Sequence, residues 1–278
     1  MQLLYVYRKR EEMIEELRNL KISNQKVQRL HILLHGPVGS GKSSFISSIE
    51  SVFRGRMAQG AIADAMGAGA SFTKKFHIKK FRDGKSGNFL PFVISDIMGL
   101  ENTNEAGAHI DDITQALKGH LKDGYCFNPV APLKKENPFY NSSPTLNDKV
   151  HCLVSILPAD RISMMDIQQV HAVITKLREI RQKASDLNIP QVVLMTMVDN
   201  TCPQVKEDLK NIYRSKKIKE KVCVCGTNYL GVPMNFVYPV KNYHEEGELH
   251  NDIDILLLSA LKNIVNFAND HVDEMLDA

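Results

Sequence analysis

Tryptophan is absent from the 278 residues, and that alone excludes nothing. Long hydrophobic runs are absent too, and that excludes more. The longest lies around Ile255–Leu261, well short of the ~18–20 apolar residues a membrane-spanning helix needs. Charge of one sign is missing: 35 Lys and Arg against 32 Asp and Glu leave a net +3. Net charge therefore implies no polyanion, and no nucleic-acid partner is expected. Cysteines number five, scattered and odd in count, which reads as free thiols instead of a disulfide framework. Cys223 and Cys225 form C-x-C and not the C-x-x-C of zinc or redox motifs, so no metal is expected there. The N-terminal apolar stretch Leu3–Tyr7 is short, and its basic residues follow it. That is not a secretion signal, and a cytoplasmic protein is expected.

What is present is ordinary for a folded chain: 43% apolar and 24% charged residues. The length allows one large domain or two small ones. Residues 8–21 read as a helix with Met13, Leu17 and Leu20 on one stripe. The apolar run Leu30–Leu34 reads as a buried strand, followed by a glycine-rich turn and a helix from Lys42. Residues 55–70, rich in Gly and Ala, read as a mobile loop. Strands are expected at Phe72–Arg82 and Asn88–Ser95, joined by a Gly-containing hairpin turn. The first carries Lys74, Lys75, Lys79, Lys80 and Arg82, which an edge strand exposing lysines to solvent explains more simply than a phosphate site. A helix is expected over Ile110–Lys118, and residues 119–148, with four prolines, read as a long loop. Then follow strand Val150–Leu157, helix Ile162–Leu187, strand Gln191–Thr196, one or two helices within 203–226, a strand near Asn235–Tyr238 and a final helix from Asp252. Strands alternating with helices predict a three-layer α/β domain. Its sheet would be mostly parallel with one antiparallel edge strand and helices on both faces. The expected division is a helical arm at 1–28 and a single domain at 29–278.

The strongest motif is Gly36-Pro37-Val38-Gly39-Ser40-Gly41-Lys42-Ser43, which satisfies G-x-x-x-x-G-K-[ST] between a strand and a helix. Gly36, Gly39 and Gly41 let the backbone wrap a phosphate, and the N–H groups through Ser40 to Ser44 face an anion at a helix N-terminus. Lys42 would reach the outer phosphates and the Ser43 hydroxyl would ligate Mg²⁺. Asp96-Ile97-Met98-Gly99 ends a strand 53 residues after Ser43. Asp96 is expected near Mg²⁺, and the Gly99 N–H near the terminal phosphate. Thr73, between these motifs, is the candidate to close over Mg²⁺ and the nucleotide. Thr196-Met197-Val198-Asp199 fits the guanine loop [NT]-K-x-D at Thr196 and Asp199 but not at Met197. An aspartate there accepts two hydrogen bonds from guanine that adenine cannot donate. Pro239-Val240-Lys241-Asn242 resembles a second base loop, making Lys241 a candidate.

In this order the motifs make the chain resemble the interferon-induced protein 44 and 44-like family. The resemblance runs over residues 29–275. It is carried by HGPVGSGKSSF (35–45), PFVISDIMGLE (91–101), DDITQALKGH (111–120), DGYCFNP (123–129), DKVHCLV (148–154), IPQVVLMTMVD (189–199), CPQVKEDLKNIYRS (202–215), PVKNYHEE (239–246) and ILLLSALKNI (255–264). It implies a GTPase-like domain binding GTP and Mg²⁺, cytoplasmic residence and induction by interferon in antiviral innate defence. Members often carry a further N-terminal domain. With about 28 residues before the first strand here, that domain is expected to be absent or truncated.

Leu100 stands where many switch GTPases place a water-orienting glutamine. Turnover is therefore expected to be slow or completed by a protein partner or self-association, with Glu101 and Asn102 the nearby polar candidates. Two alternatives stay open at this point: a scaffold with a vestigial pocket and an ATP-using P-loop enzyme.

Overall fold

The computed structural model describes residues 2–58, 74–101, 107–161 and 167–276. The elements that position the site are α1 (Gln2–Arg18), β1 (Leu30–His35), α2 (Lys42–Arg54), β2 (His77–Arg82) and β3 (Phe89–Asp96), then α3 (Ile110–Leu117), β4 (Cys152–Pro158), α4 (Ile167–Ser185) and β5 (Gln191–Thr196). After β5 come the short helices α5 (Val198–Thr201) and α6 (Pro203–Glu207), α7 (Lys216–Val222), β6 (Val237–Pro239) and the long α8 (Asn251–Glu274). Strand order is β2-β3-β1-β4-β5-β6. Among the described strands, β2 and β3 pair antiparallel and the other neighbours are parallel. This is the expected α/β architecture, with β2 as the antiparallel edge.

Residues alternate between the two faces of a strand, so each parallel strand feeds two cores. Leu33, Leu153, Leu157 and Val193 pack with Ile113 and Leu117 of α3 and Leu177 and Ile180 of α4. Ile32, Leu34, Val154, Ile156 and Val192 point the other way, onto Phe45 and Ile49 of α2, Leu17 of α1, and Leu257, Leu261 and Ile264 of α8. A sheet buried on both faces demands near-continuous apolar strands, and LHILLH and CLVSILP supply them. Three buried histidines sit among these strands. His31 Nε2 is 2.5 Å from Ser95 Oγ, and His35 Nε2 is 2.7 Å from Ser155 Oγ. His151 Nδ1 accepts from the His31 N–H at 2.8 Å, and its Nε2 lies 2.9 Å from the Leu146 carbonyl.

Two expectations need correction. The strand expected from Phe72 begins only at His77. The chain before it hydrogen-bonds to the long loop instead: Phe76 N–H donates to Tyr125 O, Gly124 N–H to Phe76 O and Phe127 N–H to Lys74 O. The 119–148 segment is the expected long loop, yet it buries Leu121, Tyr125 and Phe127. Buried Asp112 on α3 ties it down, accepting from Tyr125 Oη at 2.9 Å and from the Leu133 N–H at 2.6 Å. The region after β5 also differs. Beyond α7 the chain widens into a π-helical segment, Cys223–Leu230, that the sequence pattern does not signal.

The N-terminal helix is docked through charge as well as apolar packing. Arg10 Nε donates to Asp254 Oδ2 at 2.5 Å, and Tyr243 Oη donates to Asp254 Oδ1 at 2.6 Å. Asp254 is fully buried. Burial works against ionising this carboxyl and raises its pKa; Tyr243 and Arg10 oppose that rise. Removing one member of a buried pair strands the other, which typically costs about 3–5 kcal/mol. Arg10→Met is therefore expected to lower the urea unfolding free energy by about that amount. An unchanged midpoint would show that α1 is not anchored by this pair.

Candidate functional site

Parallel pairing puts the carboxyl ends of β1, β3, β4, β5 and β6 on one edge of the sheet. In open α/β sheets that edge is where ligands bind, where the strand order reverses. Here the reversal is at β1, with β3 on one side and β4 on the other. The candidate residues, Thr73 apart, are carried by the ends of β3 and β5, the loops after β1, β3, β5 and β6, and the start of α2. Thr73 and residues 59–70 of the expected mobile loop lie outside the described residues, as does Asn102.

The loop after β1 has the conformation its glycines permit. Gly39 and Gly41 have φ of +70° and +91°, in the left-handed region that side chains disfavour. A Cβ on Gly36 would fall 2.3 Å from the Ile156 carbonyl oxygen, and one on Gly41 would fall 2.9 Å from Asn242 Nδ2. Lys42 opens α2 and is 6% exposed. Its Nζ donates to Pro37 O at 3.0 Å and to Gly36 O at 3.3 Å, spanning the loop. Burial lowers the Lys42 pKa; the nearby Asp96 carboxylate opposes that shift. Ser43 Oγ donates to Asp96 Oδ2 at 2.6 Å. Ser44, half-buried, offers its carbonyl to Ser48 Oγ at 2.7 Å.

The loop after β3 packs directly on the loop after β1. Leu100 N–H donates to Gly36 O at 3.0 Å and Val38 N–H to Leu100 O at 3.1 Å, a parallel bridge. A Cβ on Gly99 would lie 2.6 Å from Val38 Cγ2 and 2.9 Å from Val38 N, so only glycine allows this approach. Leu100 is 2% exposed and part of the core, so its side chain does not face the loop's mouth. Lys176 of α4 donates to the Glu101 carbonyl at 2.9 Å, fixing the end of this segment.

The loops after β5 and β6 complete the edge. Thr196, buried, donates its hydroxyl to Ser40 O at 2.7 Å and so staples the loop after β1 to β5. Met197 has φ +56°, unusual for a side-chain-bearing residue. This sharp turn sends Val198 into the core and leaves Asp199 at the rim. Lys241 Nζ lies 3.5 Å from Asp199 Oδ2 and 2.7 Å from Glu246 Oε1. Burial opposes the Lys241 charge, but Glu246 and Asp199 outweigh it and hold its pKa above the ordinary lysine value. A lysine from the loop after β6 thus meets Asp199, while position 197 holds methionine.

The sequence motifs do not single out Asn242, whose Nδ2 donates to Gly41 O at 3.0 Å. They also miss Glu246 and Arg161. Glu246 lies within PVKNYHEE, five residues past Lys241, and its carboxylate is the one available signal. Arg161 belongs to no motif; only the parallel pairing of β1 with β4 brings it to this edge.

Chemically, the edge offers a glycine-rich loop, one buried lysine, and a hydroxyl–carboxylate pair of oxygens of the kind a hard divalent cation takes. A carboxylate–lysine pair stands at its far end. These donors fit a phosphate chain with Mg²⁺. No family model matches the chain. Among solved structures it is similar to the Methanococcus maripaludis translation elongation factor SelB in complex with a GTP analogue. The identity is 12% and the TM-score 0.37, covering 87% of this chain and 35% of that one. A likeness at that level carries no weight, and the fold rests on the strand order above. Curated relatives are closer. Interferon-induced protein 44 from Pan troglodytes and from Homo sapiens are each 34% identical over 266 residues, and human interferon-induced protein 44-like is 32% identical over the same length. These matches take in 96% of this chain and 57–58% of the relatives, so the chain spans rather more than half the length of each. At that identity over nearly all of its own residues, the chain is a relative of the interferon-induced protein 44 and 44-like family.

Proposed function

We propose that this chain binds a guanine nucleotide with Mg²⁺ at the carboxyl edge of its sheet. In this reading it acts as an interferon-induced cytoplasmic protein of antiviral innate defence. The observation that carries the nucleotide reading is the arrangement at the loop after β1. Three glycines occupy positions of positive φ or forbidden Cβ space. Lys42 spans the loop from within, and Ser43 and Asp96 hold oxygens 2.6 Å apart at its end. Gly36, Gly39, Ser40, Gly41, Lys42, Ser43 and Ser44 would hold the phosphates. Ser43, Asp96 and Thr73 would serve Mg²⁺, Gly99 the terminal phosphate, and Thr196, Asp199 and Lys241 the base side. The family relationship supports the interferon and antiviral part, and the buried Leu100 supports slow turnover. A second copy or another protein would complete the hydrolytic site.

Guanine preference rests on Asp199. Competition of ATP against GTP for the purified chain is expected to favour GTP strongly. Asp199→Asn is expected to move preference from guanine toward xanthine by about tenfold or more, since the base then meets a donor instead of an acceptor. Equal affinity for ATP and GTP would support the ATP-using reading, and no binding of either would support the scaffold.

A further inference from the structure

Arg161 is a cation at this edge that the reading above leaves without a role. It lies three residues beyond β4, whose parallel pairing with β1 runs the two chains out side by side. Its guanidinium sits over Gly39: a Cβ on that glycine would be 2.7 Å from one terminal nitrogen and 3.7 Å from the central carbon. Gly39 is in the left-handed region, with φ +70°, the kind of backbone conformation from which anion-binding nests of N–H groups are built. The side chain is exposed. Among the described residues no carboxylate pairs with it. Its neighbour Asp160 instead accepts from Asn200 at 3.4 Å.

The charge balance also calls for such a group. A nucleoside triphosphate carries more negative charge than one lysine and one Mg²⁺ neutralise. Lys42 is moreover already engaged with the Gly36 and Pro37 carbonyls. A guanidinium presents a planar fork that meets two phosphate oxygens at once, which an ammonium cannot do. Gly39 leaves open the space a side chain would fill between fork and loop.

We propose that Arg161 is a phosphate ligand of this site, its guanidinium folding from the end of β4 onto the phosphate chain of a bound nucleotide. The proposal rests on the nucleotide reading above. The test is GTP affinity by calorimetry, in the presence of Mg²⁺, for the full chain and for Arg161→Ala and Arg161→Lys, with Tm of the nucleotide-free proteins as the folding control. Arg161→Ala is expected to weaken GTP about tenfold to a hundredfold with Tm unchanged, as loss of charge-assisted hydrogen bonds implies. Arg161→Lys is expected to recover only part of it. If the parent chain binds no GTP, the nucleotide reading falls and this one with it. If the parent binds GTP and Arg161→Ala binds it equally well, the Arg161 assignment alone is overturned. A fall in affinity accompanied by a matching fall in Tm would make Arg161 a support of the loop, and would overturn the assignment as well.

Discussion

Lys42→Ala is expected to reduce GTP affinity by on the order of a hundredfold or more, while leaving the nucleotide-free protein as stable as its parent or more so. The two halves of this expectation come from one geometry. Lys42 is 6% exposed, and its ammonium is held by the Pro37 and Gly36 carbonyls. Burial lowers its pKa, with Asp96 pulling the other way. A buried cation compensated mainly by carbonyl dipoles contributes little to the empty fold, because desolvation offsets what the dipoles return. A phosphate chain changes that balance, since two ionised groups then meet where water is excluded. Calorimetric titration with GTP and Mg²⁺ measures the first half, and urea unfolding without nucleotide measures the second. Unchanged affinity would sink the nucleotide reading at its centre. Lost affinity together with lost stability would mean that Lys42 serves chiefly to brace the loop.

Much of this site is legible in the sequence because its parts are contiguous. The residues from Gly36 to Ser43 specify their own turn through three glycines, and strand and helix flank it in the expected places. Strand Gln191–Thr196 is delimited by Pro190 and a run of buried apolar residues that the sequence shows directly. Asp96 and Gly99 could be picked out for the same reason. What escapes the sequence depends on partners far along the chain. Lys241 meets Asp199 only because β6 pairs parallel with β5 and delivers the following loop there. Arg161 reaches Gly39 only through the β1–β4 pairing. The burial of Tyr125 and Phe127 follows from hydrogen bonds between residues 74–76 and 124–127, and no local periodicity marks either stretch. In the sequence, Arg10 is just one charge among several on the N-terminal helix. Its partner Asp254 lies 244 residues away.

Acidification from pH 7.5 to 5 is expected to cost the fold on the order of 5 kcal/mol, much of the roughly 5–15 kcal/mol by which domains are stable. The cause is the three histidines inside the sheet. Burial lowers His31 to about 4, His35 to about 3 and His151 to about 3. The charges of Lys42 and Arg181 add to the effect at His35, and that of His31 adds to it at His151. The hydrogen bonds agree with neutral rings: His151 accepts at Nδ1, and buried His35 Nδ1 has, among the described residues, no hydrogen-bond partner for an added proton. Folded, the three rings stay neutral well below pH 6.5; unfolded, they take up protons near 6.5. Below 6.5 the unfolded chain therefore binds more protons, and stability falls as pH falls, by up to about 1.4 kcal/mol per pH unit for each ring. The loss is complete only once pH has dropped through the folded values of about 4 and 3. Carboxylates act in a lower window. Burial opposes the Asp83 charge, yet bonds from Ser86, Lys85 and Arg18 outweigh it and depress its pKa, so its contribution is lost only below about pH 4. Burial raises Asp112 and Asp254, which take up protons earlier in the folded protein and offset part of the loss. Urea midpoints at pH 7.5 and 5 measure the effect, and equal midpoints would refute it. His35→Gln is expected to flatten the dependence by about a third, because it removes one titrating ring beside the loop that follows β1. A ligand held only by the folded state would stabilise it by mass action and shift acid unfolding to lower pH. GTP with Mg²⁺ is expected to do so for the parent chain and not for Lys42→Ala.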